Sequence, residues 1–285
     1  MRKGYIKFAF LLPAVMWVLF FTIYPLVDSL RLSFFTYRLG MGVGEFVGFR
    51  NYLDLFKSPD FWNACRVMFI YVVVAVSIEM GLGLGFAWVF SREIKGKAFF
   101  RTVFTSPLFT TGVAVGYLGV TIFHETGGPI NYLLGFIGKQ VPWLSSGSWA
   151  MVSIILLDVW RWTPFAFIIL LAALQSVPEE MYEAASLDTS SEFQIFRYIS
   201  FPTILPAFTI ALLLRLIEAF KQFGLIFSLT EGGPGRTTEI YCVLNYRTSI
   251  KYFDFGHGSA MAFLLLLVVM VIIIQFFGRM RKIYE

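Results

Sequence analysis

The sequence predicts an all-α integral membrane protein, a bundle of six transmembrane helices with a two-helix loop on the cytoplasmic side. Three observations carry this expectation. The 285 residues are 58% hydrophobic and only 14% charged, with a mean hydropathy of +0.73, far from the roughly one-quarter charged balance of soluble domains. Apolar runs of about 20 residues, the length that crosses a bilayer, lie near Phe8–Ser29, Ala64–Phe90, Thr102–Phe123, Ser148–Leu174, Thr203–Ser228 and Gly258–Phe277. Between the fourth and fifth runs sits one long acidic, helix-patterned segment, Ser176–Pro206. Little chain remains for a soluble domain, so residues 1–285 read as a single membrane domain.

The net charge is +5, and its distribution argues against nucleic acid. Arg2, Lys3 and Lys7 precede the first run, Arg92, Lys95, Lys97 and Arg101 crowd the second connection, and Arg279, Arg281 and Lys282 follow the last run. Short basic flanks mark the cytoplasmic face, so both termini are expected there. The segment after the fourth run belongs on the same face by parity. It nevertheless carries Arg197 alone against Glu179, Glu180, Glu183, Asp188 and Glu192. A cytoplasmic loop that breaks the charge bias calls for a reason, and a basic docking partner is one.

In chain order, the first run follows Arg2 and Lys3 as a signal peptide would, but it is too long and no small-residue cleavage site follows. It reads as a retained helix, with Pro13 and Pro25 near its ends. The Gly-rich stretch from Leu30 to Asn63 reads as an external loop with a short interfacial helix around Tyr52–Phe56. Gly81, Gly83 and Gly85, then Gly112 and Gly116, read as close-packing positions between helices. No strand precedes them and the chain contains no Gly-x-x-x-x-Gly-Lys-Ser/Thr, so it has no phosphate cradle of its own. His124, Glu125 and His257 lack metal-ligand neighbours in sequence, and Cys65 and Cys242 read as packed thiols. Trp143 and Trp149 suit an outer aromatic belt.

The fourth run holds Asp158 and Arg161, three apart and so able to pair on one helix face. Charges at bilayer depth face a bundle interior or a wet cavity. Two readings stay open: the pair borders a translocation path, or it neutralises itself and positions Trp162-Thr163-Pro164. In the polar segment, Ser176 with Glu179 and Thr189 with Glu192 have the form of capping boxes. Phe193, Phe196 and Ile199 recur at helical spacing, and Pro202 is expected to end that helix. In the fifth run, Arg215, Glu218, Lys221 and Gln222 form a polar stripe that cannot face lipid, expected to line a pore or meet a polar partner helix.

These residues carry a resemblance. EAASLDTSSEFQIFRYISFPTILP resembles the EAA coupling loop of the membrane subunits of binding-protein-dependent ABC importers, in their carbohydrate-uptake branch of maltose and glycerol-3-phosphate permeases. Glu183, Ala184, Ala185 and Asp188 match the motif, while Thr189 stands where the family usually has Gly. GFRNY, WRWTPF, LTEGGP and GSAMAFLLLL resemble further stretches of the same family in the same order. Phe223-Gly224 stands where the family often has Phe-Asp.

The resemblance implies that the loop, with Glu183, Ala184, Ala185, Asp188, Thr189, Phe193 and Pro202, docks on a cytoplasmic ATPase dimer. It implies that Asp158, Arg161, Arg215, Glu218, Lys221 and Gln222 lie near the translocation path. It further implies a second homologous permease subunit, an extracytoplasmic solute-binding protein, a sugar or sugar derivative as substrate, and an inner-membrane location. No cofactor is expected in this chain, because ATP and Mg would be bound by the partner ATPase subunits. The alternatives are a self-sufficient secondary transporter of a small polar solute, for which no inverted repeat is evident, and a membrane enzyme, for which no catalytic cluster forms at one membrane face. A DNA-binding helix-turn-helix fails because five acids would face phosphates.

Overall fold

The computed structural model describes residues 2–38, 40, 42–92 and 96–284, with side chains described for 10–278 of these. Lys95 and the side chains of Arg2, Lys3, Lys7, Arg279, Arg281 and Lys282 lie outside that description. The described residues are mostly helical, and the chain divides into two compact units, residues 1–62 with 244–268, and residues 63–243 with 269–285.

In the first unit, α1 (Arg2–Val18), a π turn (Leu19–Ile23) and α2 (Tyr24–Leu32) make one apolar helix, long enough to span from Phe10 to Leu32. The π turn has a local cause. Pro25 brings no N–H to the helical ladder, and the Tyr24 N–H just before it bonds back to Leu19 instead. The Gly-rich stretch, expected as a loop with a short helix around Tyr52–Phe56, also contains an antiparallel hairpin, β1 (Phe35–Arg38) with β2 (Gly42–Phe46). Phe35–Arg38 does alternate apolar with polar, but four residues are too short a run to mark a strand, and β2 has glycine at two of its five positions. Beside them, α3 (Arg50–Lys57) is tied to the hairpin by buried Asn51, whose amide donates to Ser33 O at 2.8 Å and Phe35 O at 3.0 Å. Asp254 accepts from the His257 N–H at 3.1 Å and from Arg38 at 3.2 Å, at the start of α14 (Phe255–Tyr284). Burial acts to raise the Asp254 carboxyl, but the hydrogen bonds from His257 hold it below its ordinary value.

The second unit contains most of α4 (Pro59–Ser91), which runs without interruption. The run expected as one span over 102–123 is not a single helix. α5 (Lys97–Thr105) and a 3₁₀ turn (Ser106–Phe109) meet α6 (Gly112–Ile122) at an angle of 100°. Thr110 and Thr111 are extended, and the Thr111 hydroxyl caps α6 by accepting from Ala114 N at 3.3 Å. After α7 (Pro129–Gly135), Trp143 is buried, and its indole donates to Asn131 Oδ1 at 3.0 Å. It is a core residue of the loop and not the belt residue expected; Trp149 remains exposed. Glu125 clamps the same loop, accepting the Leu144 and Ser145 N–H groups and the Ser145 hydroxyl, and the Ser145 bonds hold its carboxyl below the ordinary value.

α8 (Gly147–Gln175) continues through Pro164 and is followed by α9 (Glu179–Asp188) and α10 (Glu192–Ile195). A π turn (Phe196–Ser200) then leads into α11 (Phe201–Phe220). Pro202 therefore does not end a helix. It sits in the first turn of α11 behind a π turn, as Pro25 does in α2, and Glu192–Phe220 is one continuous helix. The expected single span 203–228 does break further on, at 221–223, before α12 (Gly224–Thr230); α13 (Tyr241–Tyr246) follows.

The short pieces after the two breaks, α6 and α12, pack on each other through glycine. A Cβ on Gly116 would lie 2.7 Å from the Leu225 carbonyl oxygen, and one on Gly119 2.9 Å from a Leu229 methyl. Gly116→Val is thus expected to destabilise by at least the ~1–3 kcal/mol typical of overpacking. A thermal shift of the detergent-solubilised chain checks this; an unchanged midpoint would show that α6 and α12 are free to separate.

Candidate functional site

Two groups of polar residues stand out, one buried and one exposed, and a single helix connects them. The buried group centres on Arg215 of α11, only 1% exposed. Its guanidinium grips Glu79 of α4 through two hydrogen bonds, Nε to Oε2 at 2.5 Å and a terminal nitrogen to Oε1 at 2.9 Å. The same terminal nitrogen reaches Asp158 Oδ2 of α8 at 2.5 Å. The Tyr71 hydroxyl donates to Asp158 at 2.6 Å, the Gln222 amide at 2.9 Å, and the Arg215 guanidinium lies 4.9 Å from the centre of the Trp162 ring. Burial strips these charges of water, and only such dense mutual pairing repays the desolvation. Glu79, Asp158 and Arg215 thereby join α4, α8 and α11.

This geometry corrects the reading of the individual charges. Asp158 does not pair with Arg161. Arg161 donates through Nε to Thr110 O at 3.0 Å, satisfying a carbonyl freed by the break before α6, with its guanidinium 5.0 Å from the Trp162 ring. Nor is there one polar stripe, because the helix ends at Phe220. Arg215 turns inward, Gln222 bonds Asp158 from within the second break, and Glu218 pairs with Lys221 at 2.6 Å, both substantially exposed. Glu79, Tyr71 and Trp162 are the members that sequence reading missed. Glu79 did carry a signal, as an acid deep inside an apolar run where an ionised group needs a partner.

The exposed group is the loop of α9 and α10. Glu183, Ala184 and Asp188 are exposed and Ala185 is half-buried. Leu187 is 89% exposed, an apolar side chain projecting between acids. Neither expected capping box forms. The Ser176 hydroxyl donates to Ala173 O and ends α8, and Pro178 precedes α9 without a side-chain cap. The cap of α10 is Ser191, accepting from Gln194 N at 3.4 Å.

Thr189 has φ −152°, extended backbone that needs no glycine, and its hydroxyl accepts from Ser191 N at 3.1 Å while donating to Gln194 at 2.5 Å. Threonine therefore builds the turn by hydrogen bonding in place of backbone freedom. Phe193 is exposed, 6.4 Å ring to ring from Trp88, and Phe196 lies 5.0 Å from the same ring. The Ser200 hydroxyl donates to Tyr182 at 3.2 Å, holding α9 against the π turn.

The profile of the family described as "Binding-protein-dependent transport system inner membrane component" matches residues 79–281, from Glu79 in α4 into the last turn of α14. This chain belongs to that family. The permease is similar to the probable ABC transporter permease protein y4oQ of Sinorhizobium fredii, 37% identical over 266 residues, 92% of this chain and 86% of the relative. It is 32% identical over 287 residues to the trehalose/maltose transport system permease protein MalF of Thermococcus litoralis, covering 99% of this chain and 96% of the relative. In fold it matches a chain of a bacterial alginate ABC transporter, solved with an alginate pentasaccharide-bound periplasmic protein, at a TM-score of 0.88 and 22% identity, covering 100% of this chain and 96% of that one. The permease is thus a multi-pass membrane component of a binding-protein-dependent ABC transport system.

Proposed function

We propose that this permease is one of two homologous membrane subunits of an importer for a sugar or sugar derivative, delivered by an extracytoplasmic binding protein and driven by a separate cytoplasmic ATPase dimer. Support for the sugar class comes from a relative named for trehalose and maltose. Support for the orientation comes from the basic flanks and from parity. With the bent pair α5–α6 counted as one crossing the described residues hold six, a parity that supports both termini and the α9–α10 loop lying on the cytoplasmic side.

The observation that carries the mechanism is the unbroken helix Glu192–Phe220. One end is the exposed acidic loop and the other bears Arg215, so a displacement of the loop by the ATPase reaches the buried pairs of three spans without passing through a hinge. Buried pairs of this kind have discrete arrangements, as a two-state device requires. Asp158, Arg215 and Gln222, beside the two helix breaks, are proposed to border the substrate path. Discontinuous helices are where other transporters place substrate, since broken backbone is tolerated in a membrane only where protein buries it or a cavity accepts it.

The test is a mild-detergent purification of the tagged chain with every partner identified by mass, followed by uptake in proteoliposomes. An ATPase, a second permease and ATP-dependent sugar uptake are the expected results. A chain that purifies alone and transports without ATP would overturn the reading.

A further inference from the structure

We propose that α4 is a second coupling rod in this permease, with Arg92 as the positioning residue that fastens it to the docking loop. This rests on the importer reading above and adds a path that the loop motif does not contain. Arg92 directly follows Ser91, the last residue of α4. It forms an ion pair with Glu192, the first residue of α10, and its guanidinium lies 4.9 Å from the centre of the Trp88 ring. Trp88, one turn back on α4, packs at 5.0 Å against Phe196 in the π turn. A cation, an aromatic ring and a carboxylate thus join the end of α4 to the start of the helix that continues into α11.

The other end of α4's path is the buried cluster. Glu79 precedes Arg92 by 13 residues, about 20 Å of helix, and grips Arg215 through two hydrogen bonds. Of the three helices that meet there, α8 contains Pro164 and α11 contains Pro206 and follows a π turn, whereas the interior of α4 has no proline. Its middle lies directly on α8, where a Cβ on Gly83 would come 2.5 Å from the Ala166 Cβ.

Two rods therefore start at α10 and close on one ion pair. One is α11, which carries Arg215, and the other is α4, which carries Glu79. If the loop moved α11 alone, Arg215 would be drawn off Glu79 in a place without water, which is strongly unfavourable. With Arg92 holding Glu192, both partners of the pair travel together and the motion passes to the spans. The latch itself is half-exposed, 45% at Arg92 and 65% at Glu192, and exposed ion pairs add little static stability. Its effect belongs to the motion. A cleft of about 490 Å³, lined by Trp88, Arg92, Tyr182, Glu192 and Phe196, lies between α4 and the loop and leaves room for movement there.

The test uses the complete transporter in proteoliposomes, with Arg92→Glu, Glu192→Arg and the double exchange. Each single variant is expected to assemble and to hydrolyse ATP, while substrate moved per ATP falls about fivefold or more, the scale of an allosteric coupling. The double exchange is expected to restore the ratio, a recovery that a purely structural contribution to assembly would not show. Arg92→Gln provides the same readout if charge reversal blocks assembly. Single variants with an unchanged ratio, or a loss that the exchange does not repair, would overturn the proposal. Failure of the importer reading would appear separately, as uptake without ATP in the unsubstituted complex, and would overturn this proposal with it.

Discussion

Arg215→Ala is expected to destabilise the permease by about 3–5 kcal/mol, the range for removing one partner of a buried ion pair. The substitution would leave Glu79 and Asp158, both 0% exposed, facing each other without their cation. A large fall in the thermal midpoint, with loss of chain from the membrane fraction, is the measurement. A companion variant separates charge from packing. Arg215→Met combined with Glu79→Met and Asp158→Asn removes every ion at once. Buried ion pairs replaced as a set by apolar groups of similar volume are often neutral in stability, and the amide at 158 still has Tyr71 and Gln222 beside it. That variant is expected to recover much of the midpoint while losing transport. An Arg215→Ala chain as stable as the parent would show that the cluster is not held together as described. Read as a pore-facing stripe, Arg215 and Glu218 would both be expected to matter for transport more than for assembly. Burial reverses that order for Arg215. Glu218, in an exposed pair with Lys221, is left with little influence on stability.

Glu183→Lys and Asp188→Lys are expected to leave insertion and folding intact, because both side chains are exposed and neither is needed by a described hydrogen bond. Transport is expected to fall by about two orders of magnitude, since like charges brought together across an interface cost several kcal/mol. ATP hydrolysis is expected to continue without uptake, measured as substrate accumulated per ATP consumed in proteoliposomes. Normal coupling in a correctly assembled variant would remove the loop from the mechanism. Leu187 sharpens the expectation. An 89% exposed leucine between acids is the kind of apolar anchor that a groove on a partner covers.

The loop was legible in the sequence and its capping was not. Composition and the run of acids between two apolar stretches place two short helices there whatever the details of their ends. The caps follow from which hydroxyl comes to lie over which N–H, and Ser191 took the position that a Thr-x-x-Glu pattern assigns to Thr189. The hydroxyl of Thr189 instead bridges the turn, so extended backbone suffices and no glycine is needed there. Of the three π turns among the described residues, the two at Leu19–Ile23 and Phe196–Ser200 share a cause visible in hindsight, a proline two residues further on, whereas the one at Arg247–Lys251 has none. The reading that proline stops a helix omitted the option of a wider turn ahead of it.

What the sequence determined by itself was the membrane class, the run of apolar helices, the acidic two-helix loop and its resemblance to a permease family. All of these depend on composition, period and order along the chain, which are local properties. What only the tertiary structure decided was the pairing of charges. Asp158 lies three residues from Arg161, yet it bonds Arg215, Tyr71 and Gln222 from three other segments, while Arg161 serves the broken backbone at Thr110. Inside a membrane a charge is stabilised by whichever partner the packing brings within reach, and sequence distance does not enter. The same reason hid Glu79 and Arg92, whose partners lie 136 and 100 positions further along the chain.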